Sequence, residues 1–226
     1  MLAASSLLAA TASAGTVTVA YAGGVGAQVS LDAGATFART NAGAHRLSDP
    51  SGSLGLGGAD LYTFSVDLER SFRGTASVTT GSMLAWNLGP AGEEQKQRAS
   101  WIATRFFDTY PSSAPTNAIK GAYQLAIWEL LFETSGMYSL TGGNAQFKTG
   151  SGAAKRLAAQ LIAESAAHGA DGYATWLATG ASRTRERPDF IGPRLVATPV
   201  PEPLSTLGGL ALGLSALAVL RRRSHA

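Results

Sequence analysis

The 226-residue chain is predicted to fold as an α+β domain. Two observations carry that expectation. β-like stretches crowd residues 16 to 80, and helical periodicity takes over from about Met83. Strands that come first and helices that follow segregate in space, unlike alternating βαβ units. Composition agrees. Hydrophobic residues make up 45% and charged residues 15%, which is too apolar for a disordered chain and enough for a core. The 27 glycines favour many turns and a β-rich body.

Each element has its own signal. Thr16 to Leu31 alternates on either side of Gly23-Gly24 and reads as two short strands joined by a Gly turn. Residues 38 to 60 are rich in Gly, Ser, Asp and Asn and read as loop, with room for one edge strand. Leu61 to Leu68 is the clearest strand. Tyr62, Phe64, Val66 and Leu68 share one face, and Thr63, Ser65 and Asp67 the other. Thr75 to Thr80 is a further β-like stretch.

Ile102, Phe106 and Tyr110 recur at spacings of four, which predicts a helix over Glu93 to Tyr110, ended by Pro111 to Pro115. Asn117 is positioned to cap a second helix from Ala118 to Glu133. A third covers Gly152 to His168, with Gly169 as its stop. Tyr173 to Ala178 reads as a short helix or turn, Arg183 to Arg187 as a charged loop, and Ile191 to Val196 as a closing strand. There is no internal repeat.

The pI near 9.4 invites a nucleic-acid reading, but the charge is misplaced for one. There are 18 Lys and Arg against 15 Asp and Glu; without Arg221, Arg222 and Arg223 the counts are equal. The body carries no electrostatic footprint for DNA or RNA. The chain has no cysteine, which excludes disulfides, thiolate metal sites and cysteine nucleophiles.

Residues 1–14 read as a signal peptide: an apolar Leu- and Ala-rich run ends in Ala12-Ser13-Ala14, the small residues a signal peptidase requires. No Lys or Arg precedes the run, and the alternative is an Ala-rich buried helix. At the other end, Pro199, Pro201 and Pro203 hold the backbone extended. Leu204 to Leu220 is 17 residues without a charge, at the short limit for a transmembrane helix. Arg221, Arg222 and Arg223 would stay cytoplasmic and leave the body outside the membrane. Val200-Pro201-Glu202-Pro203, the apolar span and the Arg cluster, in that order, closely resemble the PEP-CTERM sorting signal. The resemblance implies processing near Pro201-Glu202-Pro203 by an exosortase, an integral-membrane cysteine protease-transpeptidase.

Gly121 to Glu133 is the most informative stretch of the body. On a helix, Gln124, Ile127, Trp128 and Leu131 share a face. The helix is apolar nearly all round, so it should be buried, and Gln124 then needs hydrogen-bond partners. Tyr123-Gln124-Leu125-Ala126-Ile127-Trp128-Glu129 resembles the Gln-x-Ala-Ile-Trp motif of thioester domains, which occur in bacterial surface proteins. In that family a Phe-Cys-Val-Asp/Glu-Leu strand precedes the motif, and the Cys and Gln side chains join as an internal thioester. The matching strand here is Thr63-Phe64-Ser65-Val66-Asp67-Leu68, and Tyr21-Ala22-Gly23-Gly24 resembles the family's opening strand and turn. The resemblance runs from about residue 16 to 135.

Ser65 stands where the family has Cys, so a thioester is impossible. The expectation is a degenerate pair in which the Ser65 hydroxyl hydrogen-bonds to the Gln124 amide. The alternative is an internal Ser65–Gln124 ester, a poorer electrophile because an alkoxide leaves less readily than a thiolate.

Other chemistry has weaker support. There is no Gly-x-Ser-x-Gly elbow. Of His45, His168 and His225, the last is in the tail, and His45 reads as an exposed loop residue that could be a base only through a tertiary arrangement the sequence does not show. No metal motif is present, and Gly52 to Gly58 lacks the Lys of a P-loop. Glu129 and Glu133 read as a solvated helix edge. Among Trp86, Trp101, Trp128 and Trp176, Trp128 should be core, and Trp176 is the best candidate for an exposed stacking surface, although a core role is the favoured reading for it too.

The expected organisation is a signal peptide at 1–14, an extracytoplasmic domain at 15–197 and a sorting tail at 198–226. The domain is expected to be a thioester-domain-like β-sandwich or barrel with a helical insertion, followed by a transmembrane sorting helix at 204–220. The expected function is that of an exported, exosortase-processed protein of the cell envelope or extracellular matrix, non-enzymatic and without cofactor or metal. Exopolysaccharide or surface proteins are its expected partners. The alternatives are an adhesive or cross-linking domain using the ester, or an extracellular glycan binder or hydrolase.

Overall fold

A computed structural model of the chain describes residues 14–50, 52, 60–68, 74–82, 90–110, 115–168, 175–179 and 189–192. These all fall in the unit Met1–Leu195. Residues 1–13, Trp86, Gly169, Arg183 to Arg187 and the sorting tail lie outside the described residues.

The elements run β1 (Ala14–Ser30), β2 (Ala38–Ser48), β3 (Leu61–Ser65), β4 (Gly74–Ser82), α1 (Glu93–Thr109), α2 (Asn117–Phe132), β5 (Gln146–Thr149), α3 (Gly152–Ser165), β6 (Thr175–Thr179) and β7 (Phe190–Ile191). The fold is α+β: a seven-stranded antiparallel sheet with helices inserted between β4 and β6. The pairings β1–β2, β2–β3, β3–β7, β7–β6, β6–β4 and β4–β1 form a closed circuit, and β5 joins the distal half of β1.

The first strand corrects the sequence reading. Residues 14 to 30 form one strand, and Gly23-Gly24 is a bulge within it. Tyr21 pairs with His45 and Gly24 with Gly43, so Ala22 and Gly23 on β1 oppose Ala44 alone. Gly23 adopts φ +101°, a conformation glycine reaches without strain. The extra residue switches faces. Before the bulge, Val17 and Val19 join Leu47, Val78 and Phe190 in a small core. After it, Ala27 and Val29 join the large core under the helices. Residues 38–48, read mostly as loop with at most an edge strand, form β2, which has a strand on either side. Tyr173 to Ala178, read as helix or turn, overlaps strand β6 at residues 175–178. The short β5 carried no prediction.

The helices fall close to expectation. Thr116, one residue before Asn117, is the cap of α2, its side chain accepting the Ile119 amide. Ser151 caps α3 in the same way through Ala154. α3 ends at Ser165, three residues before the predicted His168. Phe190–Ile191 joins β3 to β6 and overlaps the closing strand expected at Ile191 to Val196 at Ile191 alone; residues 193–196 lie outside the described residues. The large core packs Ile102 and Phe106 of α1, the apolar body of α2, and Ala158, Leu161 and Ile162 of α3 against Phe64, Val66 and Leu68. Among the described residues no helix is long and apolar enough to cross a membrane.

Candidate functional site

Beyond its first turn α2 has no solvent face. Every residue from Lys120 to Leu131 is buried. Such a helix is held by its surroundings on all sides, which fixes Gln124 (0% exposed) against β3.

Gln124 and Ser65 meet across 59 residues of sequence. The Ser65 backbone N–H donates to Gln124 Oε1 at 3.0 Å, and Gln124 Nε2 donates to the Ser65 carbonyl at 2.7 Å. The β2–β3 ladder ends at Ala44 and Phe64, one residue short of Ser65. The Gln124 side chain therefore fills the donor and acceptor positions that a neighbouring strand would otherwise occupy.

The predicted partner atom was wrong. The Ser65 hydroxyl donates to the Asp67 carbonyl at 2.9 Å and accepts the Asp67 amide at 3.1 Å. A short polar side chain in a turn bonds its own local backbone readily. The turn is anchored in turn: the Val66 amide donates to the Asp189 carbonyl, and the Asp189 amide to Asp67 Oδ2. Among the described residues no acid–base side chain hydrogen-bonds the Ser65 hydroxyl.

His45 is not an exposed loop residue. It lies on β2 at 4% exposure, with its ring 5.5 Å from that of Tyr21 and 5.0 Å from that of Phe190. His168 stacks on Trp101 with ring centroids 4.6 Å apart. Trp128 is core, as expected. Trp176 lies on β6 in register with Gly81 and Ile191.

Glu129 and Glu133 are not a solvated edge; their exposures are 0% and 3%. Together they tie down the segment after α2. Glu129 Oε1 accepts the Ser139 amide at 2.6 Å, and Glu133 accepts the amides of Ser135 and Ala145. Burial pushes the Glu129 carboxyl up to about 8, opposed by the Ser139 bond and reinforced by the Glu133 charge. Burial also works on Glu133, but its hydrogen bonds from Ser135, Ala145 and Asn144 outweigh it and hold the carboxyl below its ordinary value. The sign that these carboxylates were buried was available: a helix apolar nearly all round leaves them little wet side.

Lys120, one turn before Gln124, was also missed. Its ammonium donates to the Ala22 carbonyl at 2.6 Å, satisfying the bulge of β1. Burial lowers its pKa. Among the described residues no group of His, Asp or Glu is arranged to hold a metal ion.

No protein-family model, curated protein or solved structure matches the chain.

Proposed function

We propose that the chain is an exported, non-enzymatic protein of the cell envelope or extracellular matrix. Its body is a degenerate thioester domain, and its tail is a PEP-CTERM signal with a transmembrane helix at 204–220 that an exosortase processes. The observation that carries the reading of the body is the Ser65–Gln124 pair. The Gln of the Gln-x-Ala-Ile-Trp helix touches the residue standing where the family's cysteine would be, 59 positions away. The closed strand circuit agrees with the barrel alternative of the expected fold. Serine in place of cysteine, with its hydroxyl held by the Asp67 backbone, supports a site that keeps the scaffold and lacks the bond. The competing chemistry, an internal Ser65–Gln124 ester, requires that hydroxyl to give up its proton and with it the bond to the Asp67 carbonyl.

The tail reading is tested by expressing the full chain with and without an exosortase and identifying its C terminus by mass spectrometry. Loss of the segment beyond Pro201-Glu202-Pro203 should depend on the exosortase and on Pro201, Glu202 and Pro203 themselves. An intact tail in the presence of an active exosortase refutes the assignment.

A further inference from the structure

Beyond its bulge, β1 runs with β2 on one side and β5 on the other. Directly opposed residues in an antiparallel ladder share a face. Arg39 of β2, Gln28 of β1 and Lys148 of β5 therefore form one cross-strand row, and Asn41 with Gly26 the next. On β2 this face continues the one that carries Leu47 into the small core. Past the closed circuit it opens to solvent, as a groove of about 540 Å³. The mouth of a strand circuit is a common place for a small-ligand site, and the volume is within the usual range.

The chemistry of the groove is one-sided. None of its lining residues is acidic. Arg39 and Lys148 are exposed, and neither is ion-paired among the described residues. The Lys148 ammonium sits 3.6 Å from the centroid of the Phe37 ring, which holds it at the rim without neutralising it. Gly26 and Gly150 line the groove without side chains, and nothing stands within 4 Å of where a Cβ would lie at either.

We propose that this groove binds a carboxylate-bearing segment of an acidic polysaccharide. Arg39 and Lys148 offer charge-assisted donors for carboxylates. The amides of Gln28 and Asn41 offer both donors and acceptors for sugar hydroxyls. The bare glycines let a ring approach the backbone. A nucleic acid would demand a longer basic track than this charge-balanced body carries. The proposal rests on the export reading for where such a polysaccharide is met.

The test is calorimetric titration of the full-length chain, purified in detergent, with a short oligogalacturonate. The controls are its carboxyl-reduced neutral counterpart and a sulfated dextran oligomer. The oligogalacturonate binds and the neutral form does not. Arg39→Ala and Lys148→Ala each weaken binding by about tenfold, the loss expected for one charge-assisted hydrogen bond. Gly26→Val keeps every charge and puts a branched side chain where the groove is bare, so it weakens binding to a similar degree, with an unchanged thermal melt showing that the fold is intact. The proposal is overturned by no binding of oligogalacturonate, by equal binding of the neutral form, or by wild-type affinity in Arg39→Ala, Lys148→Ala or Gly26→Val. Preference for the sulfated oligomer also overturns the carboxylate assignment. Binding is measured on the purified chain, so its failure is distinct from a failure of tail processing.

Discussion

Gln124 holds the backbone of Ser65 at both ends of its side-chain amide, accepting from the Ser65 N–H at 3.0 Å and donating to the Ser65 carbonyl at 2.7 Å. A helix side chain here does the work of a strand. It sets the buried helix α2 in register with β3, and it does so at the position where the resemblance to thioester domains would place a covalent bond.

Replacing Gln124 should therefore cost more than replacing Ser65. Gln124→Leu strands a buried N–H and a buried carbonyl, a loss of about 2–5 kcal/mol. Ser65→Ala removes only the hydroxyl bonds to Asp67, a loss of about 1 kcal/mol. Urea unfolding monitored by tryptophan fluorescence compares the two. Equal losses would mean that the hydroxyl, and not the backbone, is the partner that matters.

Stability should depend on pH through Glu129. Its folded pKa is raised to about 8, so the folded state holds a proton that the unfolded state has already released. The contribution is fully present below the ordinary carboxyl pKa of about 4.5 and is lost as pH rises through about 8. Glu129→Gln keeps the acceptor for Ser139 and cannot ionise. It should flatten the stability profile across that window and stabilise the protein at its upper end by a few kcal/mol at most. Parallel profiles for variant and wild type would refute the assignment.

Glu133 should act as the clamp on residues 134–145. Glu133→Ala removes the acceptor for the amides of Ser135 and Ala145. Hydrogen bonds to a charged group are worth about 1.5–3 kcal/mol each, so hydrogen exchange at both amides should accelerate markedly. Unchanged protection at Ala145, the more deeply buried of the two, would count against the clamp.

The bulge of β1 should tolerate no side chain at Gly24. A Cβ there would stand 2.0 Å from the Ala42 carbonyl oxygen, which belongs to backbone and cannot swing aside. Gly24→Ala should cost on the order of 3 kcal/mol. Gly26→Ala, in open space on the same strand, serves as the control and should melt near wild type.

The helices were legible because apolar residues recur at helical spacing and Pro or capping residues bound them. The strands were less so. Gly23-Gly24 reads locally as a turn; only the pairing of both halves of β1 with β2 makes it a bulge. β2 was obscured by its Arg, Asn and Gly, and β5 is only four residues long. The Ser65–Gln124 contact was legible as a pair through the resemblance. Which atoms meet was not, because that depends on how Asp67 turns the serine hydroxyl. Glu129 and Glu133 were misread on residue type alone, although the apolar surface around them pointed the other way.

The most direct measurement is the intact mass of the purified full-length chain. A non-covalent Ser65–Gln124 pair predicts a mass that retains the Gln124 amide nitrogen. A deficit equal to one ammonia, mapped by peptide sequencing to a Ser65–Gln124 cross-link, would contradict it and establish the ester.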